Sequence, residues 1–198
     1  MITPLISSLW FRFLICFGMG SIPFAVISMA GSGIDIRKVG SGNPGFNNVL
    51  RVSKWRAVIA LAGDMGKGYL ALHWTMHTGD PLRFGWLLGF AAVIGHCYSP
   101  FLRFNGGKGI ATSGGVMLAL YPLWAVIALA YFTAARVTCS RLKAPEAGTL
   151  ASLTTWVVFT LLMLIFVGAV HAYYAALMTL FLAWRHRSNL ARLAGKTA

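Results

Sequence analysis

Apolar runs long enough to cross a bilayer recur through most of this chain, and no other feature limits its fold so strongly. They cover about residues 9–30, 57–77, 84–102 and 110–120, the last cut off by Tyr121-Pro122, and then 123–137 and 150–184. A bilayer core of roughly 30 Å takes about 20 apolar residues per straight helix, so the final run holds two spans that break near Gly168. The composition agrees: 58% of the 198 residues are hydrophobic, 11% are charged and the mean hydropathy is +0.71. A water-soluble domain of this size is less apolar. The expected fold is an all-α integral membrane bundle of seven helices, a single transmembrane domain over residues 1–198 without repeat or linker. The first run continues through SIPFAVISMA, past a plausible cleavage point, so it is expected to be a retained helix and not a signal peptide.

The charges orient these spans. Lys and Arg number 17 against four acids, Asp35, Asp64, Asp80 and Glu146, for a net charge of +13. In a soluble protein that balance would point to nucleic acid, but no nucleic-acid motif accompanies it, and in membrane proteins Lys and Arg gather in cytoplasmic loops. With the N-terminus outside, seven spans put residues 31–56, 103–109, 136–148 and 185–198 on one side, and these hold five, two, three and four basic residues. Only Arg12, Lys67 and Arg83 fall elsewhere. The C-terminus and the glycine-rich loops are therefore expected in the cytoplasm, at the inner (plasma) membrane. Cys16, Cys97 and Cys139 are far apart and odd in number, which fits reduced packing residues and not a disulfide framework.

The first inside loop contains VGSGNPGFNNVLRV. Gly40, Gly42 and Gly45 allow successive backbone amides to converge on an anion, Ser41, Asn43, Asn47 and Asn48 add donors, and Arg51 can hold a phosphate through two hydrogen bonds. On spacing alone a glycine-rich turn carrying topological charge fits equally well. A second cluster, Asn105-Gly106-Gly107-Lys108-Gly109, precedes the helix starting near Ile110, where amides and helix dipole favour a phosphate. It lacks the spacing of a nucleotide P-loop. Asp64 and Lys67 lie three apart in an apolar helix, either as a structural ion pair or as part of a site. His96 either donates to a substrate or satisfies a buried carbonyl, while His73, His77 and His171 look like packing residues. In the tail, His186 and Asn189 among arginines point to substrate contact more than a plain basic tail would.

Several chemistries lack their residues. No His-x4-Asp pair of acyl-CoA-dependent acyltransferases occurs, since His73, His77 and His96 are followed five places on by Thr78, Leu82 and Phe101. No GxSxG elbow is found, and four scattered acids do not assemble a multi-carboxylate metal site, so neither metal nor cofactor is expected.

Taken together, GSIPF at 20–24, VGSGNPGFNNVLRV at 39–52, DMGKG at 64–68, GHCYSPFLRFNGGKGIAT at 95–112, TLAS at 149–152 and WRHRSNLARLAGK at 184–196 resemble the bacterial acyl-phosphate:glycerol-3-phosphate acyltransferases. The resemblance implies transfer of a fatty acyl group from acyl phosphate to the 1-hydroxyl of glycerol 3-phosphate, giving lysophosphatidic acid and phosphate for phospholipid synthesis, with membrane lipid around the site. It implies catalytic roles for Ser41, Arg51, Lys108 and His186. Substrate contacts would come from Gly40, Gly42, Asn43, Asn47, Asn48, Lys67, His96, Gly106, Gly107, Thr149, Ser152 and Asn189. Three positions depart from the family pattern: Phe46-Asn47 stands where Ala-Thr is usual, and Thr149 where serine is usual. The residues alone leave two other readings open, a transporter or binding protein for a phosphorylated metabolite and a divergent paralogue with another acceptor.

Overall fold

The computed structural model describes residues 8–195, and its regular structure is helical, with no strand among the described residues. Helix α1 (Leu9–Ser21) stops because Pro23 excludes helical geometry from Ile22, whose ψ of 121° is extended. One further turn, α2 (Phe24–Ile27), leads into the glycine-rich loop, which ends in the short α3 (Phe46–Val52). Then come α4 (Lys54–Thr75), α5 (Leu82–Cys97), a 3-10 turn (Pro100–Leu102) and α6 (Ile110–Leu120). After the break at Tyr121 follow α7 (Pro122–Arg141) and α8 (Ala147–Leu162), which runs on through a π-helical turn (Met163–Val167). Gly168, at φ 135°, separates that turn from α9 (Ala169–Arg185), and α10 (Arg187–Leu193) closes the described chain.

Helices thus occupy every expected apolar run, with breaks at Tyr121-Pro122 and Gly168. Among the described residues, four segments are long and apolar enough to cross a membrane: Leu9–Ile27, Leu82–Leu102, Pro122–Arg141 and Ala147–Val167. Helix α4 is long enough but carries Lys54, Arg56, Asp64 and Lys67. Helix α6, with 11 residues, is about 16 Å long at about 1.5 Å per residue, roughly half of a bilayer core. Many large apolar side chains are exposed on these helices, among them Trp10, Leu14, Val58, Leu123, Ile165 and Leu180, as expected where the solvent is lipid.

The chain forms two compact units, the first ending at Leu120 and the second beginning at Tyr121. In the first, α1 packs on α5 and α4 packs on α6. Both contacts bring backbone against backbone through glycine: a Cβ on Gly95 would stand 2.2 Å from the Phe17 carbonyl oxygen, and one on Gly115 1.9 Å from that of Met65. Without a hydrophobic drive between helices in lipid, such close van der Waals contact supplies much of the association. The break after α1 frees carbonyls, and the Ser99 hydroxyl takes that of Ser21 at 2.6 Å. Arg12, expected as a leftover charge, is buried in α1 and ion-paired with Asp80 in the α4–α5 loop.

In the second unit α8 packs against both α7 and α9. The Tyr121 hydroxyl lies 2.8 Å from His171 Nδ1, Trp124 stacks on Phe166, and the hydroxyls of Thr160 and Thr179 meet at 3.0 Å. His171 is a packing residue, as expected. The three cysteines are free thiols.

Candidate functional site

The glycine-rich loop owes its shape to one asparagine. Helix α3 turns Asn48 and Val49 inward and Asn47 and Arg51 outward. Val49 joins Ala25, Met29, Ile36, Ala57 and Ala60 in an apolar cluster beneath the loop. Beside it, the buried Asn48 amide donates to the carbonyls of Ile36 at 2.9 Å and Val39 at 3.0 Å, while its Oδ1 accepts from the Ser41 amide at 3.0 Å. Gly40, at φ 58°, passes so close that a Cβ would meet Asn48 Oδ1 at 2.3 Å. Gly42, at φ 67°, donates its amide to the Val39 carbonyl. Arg56 fixes the start of the loop by donating to the carbonyls of Ser28 and Ala30. Ser41 and Arg51 remain exposed, and Asn43 is half-buried.

Asn48, expected to touch substrate, therefore spends its side chain on the loop's own backbone. Its period on α3, beside the buried Val49, was the available signal. The Ser41 amide is likewise taken, which leaves its hydroxyl outward; Gly40 and Gly42 shape the turn. An open cleft of about 570 Å³ beside the loop is lined by Arg37, Lys38, Gly42, Arg103 and Asn105 together with Asp35. Asp35 is already bound by Arg37 at 2.9 Å, and those hydrogen bonds hold its carboxyl at about 2, below the usual carboxylate range.

The turn before α6 is held from beneath by α5. The amides of Gly106 and Gly107 donate to the carbonyls of Cys97 at 3.1 Å and His96 at 3.2 Å. That corrects the expectation that these amides face a phosphate: the turn is a pedestal for the half-buried Lys108, not an open nest. Beneath it, Asp64 is buried on α4, with Lys67 Nζ 2.7 Å and His96 Nδ1 3.4 Å from its Oδ1. Lys67 Nζ also donates to the Ile22 carbonyl at 2.6 Å. Its side chain is 2% exposed, and of the two readings left open by the sequence the ion pair with Asp64 is the contact seen. His96, 6% exposed, is buried with it.

In the second unit the centre is Glu146, which the sequence reading passed over. It precedes α8 in a left-handed conformation (φ 52°), so its carboxylate lies at the start of that helix. Oε2 accepts from Asn189 Nδ2 at 2.6 Å and from the Thr149 hydroxyl at 3.2 Å, while Arg192 Nε donates to Oε1 at 2.7 Å. Of the remaining expected residues, the Ser152 hydroxyl bonds back to the Gly148 carbonyl within α8, and His186 is buried with Nδ1 2.8 Å from the Leu182 carbonyl.

Each of the four acids is thus committed to a cation: Asp35 to Arg37, Asp64 to Lys67, Asp80 to Arg12 and Glu146 to Arg192. Arg51, outward on α3, pairs with none of them. The apolar helices and basic loops define an all-helical integral membrane protein. The family model for glycerol-3-phosphate acyltransferases matches residues 10–196, and the chain belongs to that family.

Similar proteins include the glycerol-3-phosphate acyltransferase of Burkholderia ambifaria (strain MC40-6), 35% identical over 194 residues covering 91% of this chain and 84% of that one. That of Paraburkholderia xenovorans (strain LB400) is 38% identical over 189 residues, covering 88% and 82%. Among solved structures, the glycerol 3-phosphate form of PlsY (YgiH), an integral membrane glycerol 3-phosphate acyltransferase, superposes with a TM-score of 0.81 at 29% identity over 96% of this chain and 94% of that one. Its lysophosphatidic acid form gives 0.80 at 28% identity.

Proposed function

We propose that residues 1–198 act as one acyltransferase domain that moves a fatty acyl group from acyl phosphate to the 1-hydroxyl of glycerol 3-phosphate, in phospholipid synthesis. The acceptor hydroxyl bonds to the acyl carbon, the bond from that carbon to the phosphate oxygen breaks, and the hydroxyl proton leaves with phosphate or solvent. Products are lysophosphatidic acid and phosphate. Because acyl phosphate carries its own leaving group, holding both phosphates in place and stabilising developing charge supply the rate without a protein nucleophile. The observation that carries this reading is the commitment of all four carboxylates elsewhere, which leaves Arg51 on the glycine-rich loop to an anion from outside.

In this reading Ser41 and Arg51 bind phosphate from the first loop with Asn43 and Asn47 beside them, and Lys108 binds it from the turn before α6. In the second unit, Asn189 and Thr149, ordered by Glu146, form a further contact group with His186 and Ser152. Seven spans, with the N-terminus outside and the C-terminus inside, put these loops at the cytoplasmic face of the inner membrane, and the positive-inside distribution supports that orientation. Family membership favours this enzyme over a transporter. The test is purified protein with acyl phosphate and radiolabelled glycerol 3-phosphate, scored for lysophosphatidic acid; absence of product overturns the reading.

A further inference from the structure

The Asp64, Lys67 and His96 group is buried beneath the turn that bears Lys108. An ion pair in an apolar helix layer carries a desolvation penalty that a pair of leucines would not, so its presence asks for a role. Its contacts run in one direction. Lys67 is anchored by the Ile22 carbonyl at 2.6 Å and holds Asp64 at 2.7 Å, and Asp64 orients His96 through Nδ1 at 3.4 Å. The opposite ring nitrogen of His96 lies against the turn: a Cβ on Gly107 would stand 2.2 Å from Nε2. The backbone of the same histidine takes the Gly107 amide at 3.2 Å. The turn is therefore fastened from its backbone and pressed by the ring at the residue just before Lys108.

We propose that Asp64, Lys67 and His96 are positioning residues that set the place of Lys108, acting through the His96 ring on Gly107. The inference rests on the reading of Lys108 as a phosphate-holding cation. A merely structural ion pair would lower stability when broken, without singling out one substrate. A positioning group instead reproduces the kinetic signature of a displaced Lys108.

The experiment measures KM for acyl phosphate and for glycerol 3-phosphate in wild type, Lys108→Arg, Gly107→Ala, His96→Ala and the double variant His96→Ala with Gly107→Ala. Gly107→Ala is expected to raise, at least tenfold, the same KM that Lys108→Arg raises and to leave the other within twofold. His96→Ala, which removes the ring that bears on the turn, is expected to raise the same KM about threefold; in the double variant the added methyl enters the space vacated by the ring, so that KM falls from the Gly107→Ala level to that of His96→Ala alone. Asp64→Asn should show the same pattern; because it strands Lys67 and can prevent folding, the Gly107 series, which leaves the ion pair intact, decides. The proposal is overturned if Gly107→Ala stays within twofold of wild type, if it raises the other KM, or if the double variant fails to recover what Gly107→Ala loses. Wild type without activity on acyl phosphate would sink the donor reading instead, and the same series would then be run with the donor that works.

Discussion

Asn48 Oδ1 accepts the Ser41 amide at 3.0 Å, so a side chain seven residues on, in the helix that closes the loop, places the serine expected to meet phosphate. Nδ2 of the same asparagine donates to the carbonyls of Ile36 and Val39. Asn48→Leu keeps the branched shape, though with bulkier methyls, and removes all three bonds, and leaving such groups unsatisfied costs ~1–3 kcal/mol. Thermal unfolding should show the loss, and acyl transfer should fall at least tenfold. Wild-type activity in Asn48→Leu would mean that the loop does not depend on this bond.

Arg51 stands outward from α3 and Lys108 follows the Gly106-Gly107 pedestal. Removing a charge-assisted contact of ~1.5–3 kcal/mol lowers turnover roughly ten- to a hundredfold, and further if the contact forms only in the transition state. Arg51→Ala and Lys108→Ala should each lose this much while remaining folded in the membrane, judged by an unchanged unfolding temperature. Activity of both within threefold of wild type would remove them from the site.

Glu146 gives a pH signature. Burial raises its carboxyl, but the hydrogen bonds from Arg192, Asn189 and Thr149 with the charge of Arg192 outweigh burial and lower it below the ordinary glutamate value. A lowered folded value means that its stabilisation is present above the unfolded value of about 4.3 and is lost as pH falls through the folded one. The unfolding-temperature gap between wild type and Glu146→Gln should be widest near neutrality and close on acidification below pH of about 4. A gap that does not change with pH would show that the carboxylate charge is not what holds Asn189 and Arg192.

Orientation is checked by labelling single cysteines in a background without Cys16, Cys97 and Cys139. Positions Ser41 and Lys143 should react only from the cytoplasmic side and Thr78, exposed in the α4–α5 loop, only from outside. External labelling at Lys143 would overturn the count of seven spans.

The helical framework was legible because its signals are local: apolar length, Pro122 at a break, and Gly168 between α8 and α9; the break before Pro23, inside a run expected to be one helix, was not. The turn before α6 was legible for the same reason. What escaped were pairings between residues far apart in sequence, such as Arg12 with Asp80 and Asn189 with Glu146, separated by 68 and 43 positions. Lys67 and His96 were drawn toward the substrate by their chemistry, whereas burial assigns them to Asp64. Gly106 and Gly107 looked like amide donors to an anion, but only the fold reveals that the carbonyls of His96 and Cys97 already accept from them.

The identity of the donor is tested by initial rates of lysophosphatidic acid formation from radiolabelled glycerol 3-phosphate with acyl phosphate or acyl-CoA of the same chain. Without a His-x4-Asp base, and with cationic loops suited to phosphate, turnover should require acyl phosphate, and millimolar inorganic phosphate should inhibit by occupying the same cations. Comparable turnover with acyl-CoA, or a rate unmoved by phosphate, would contradict the account.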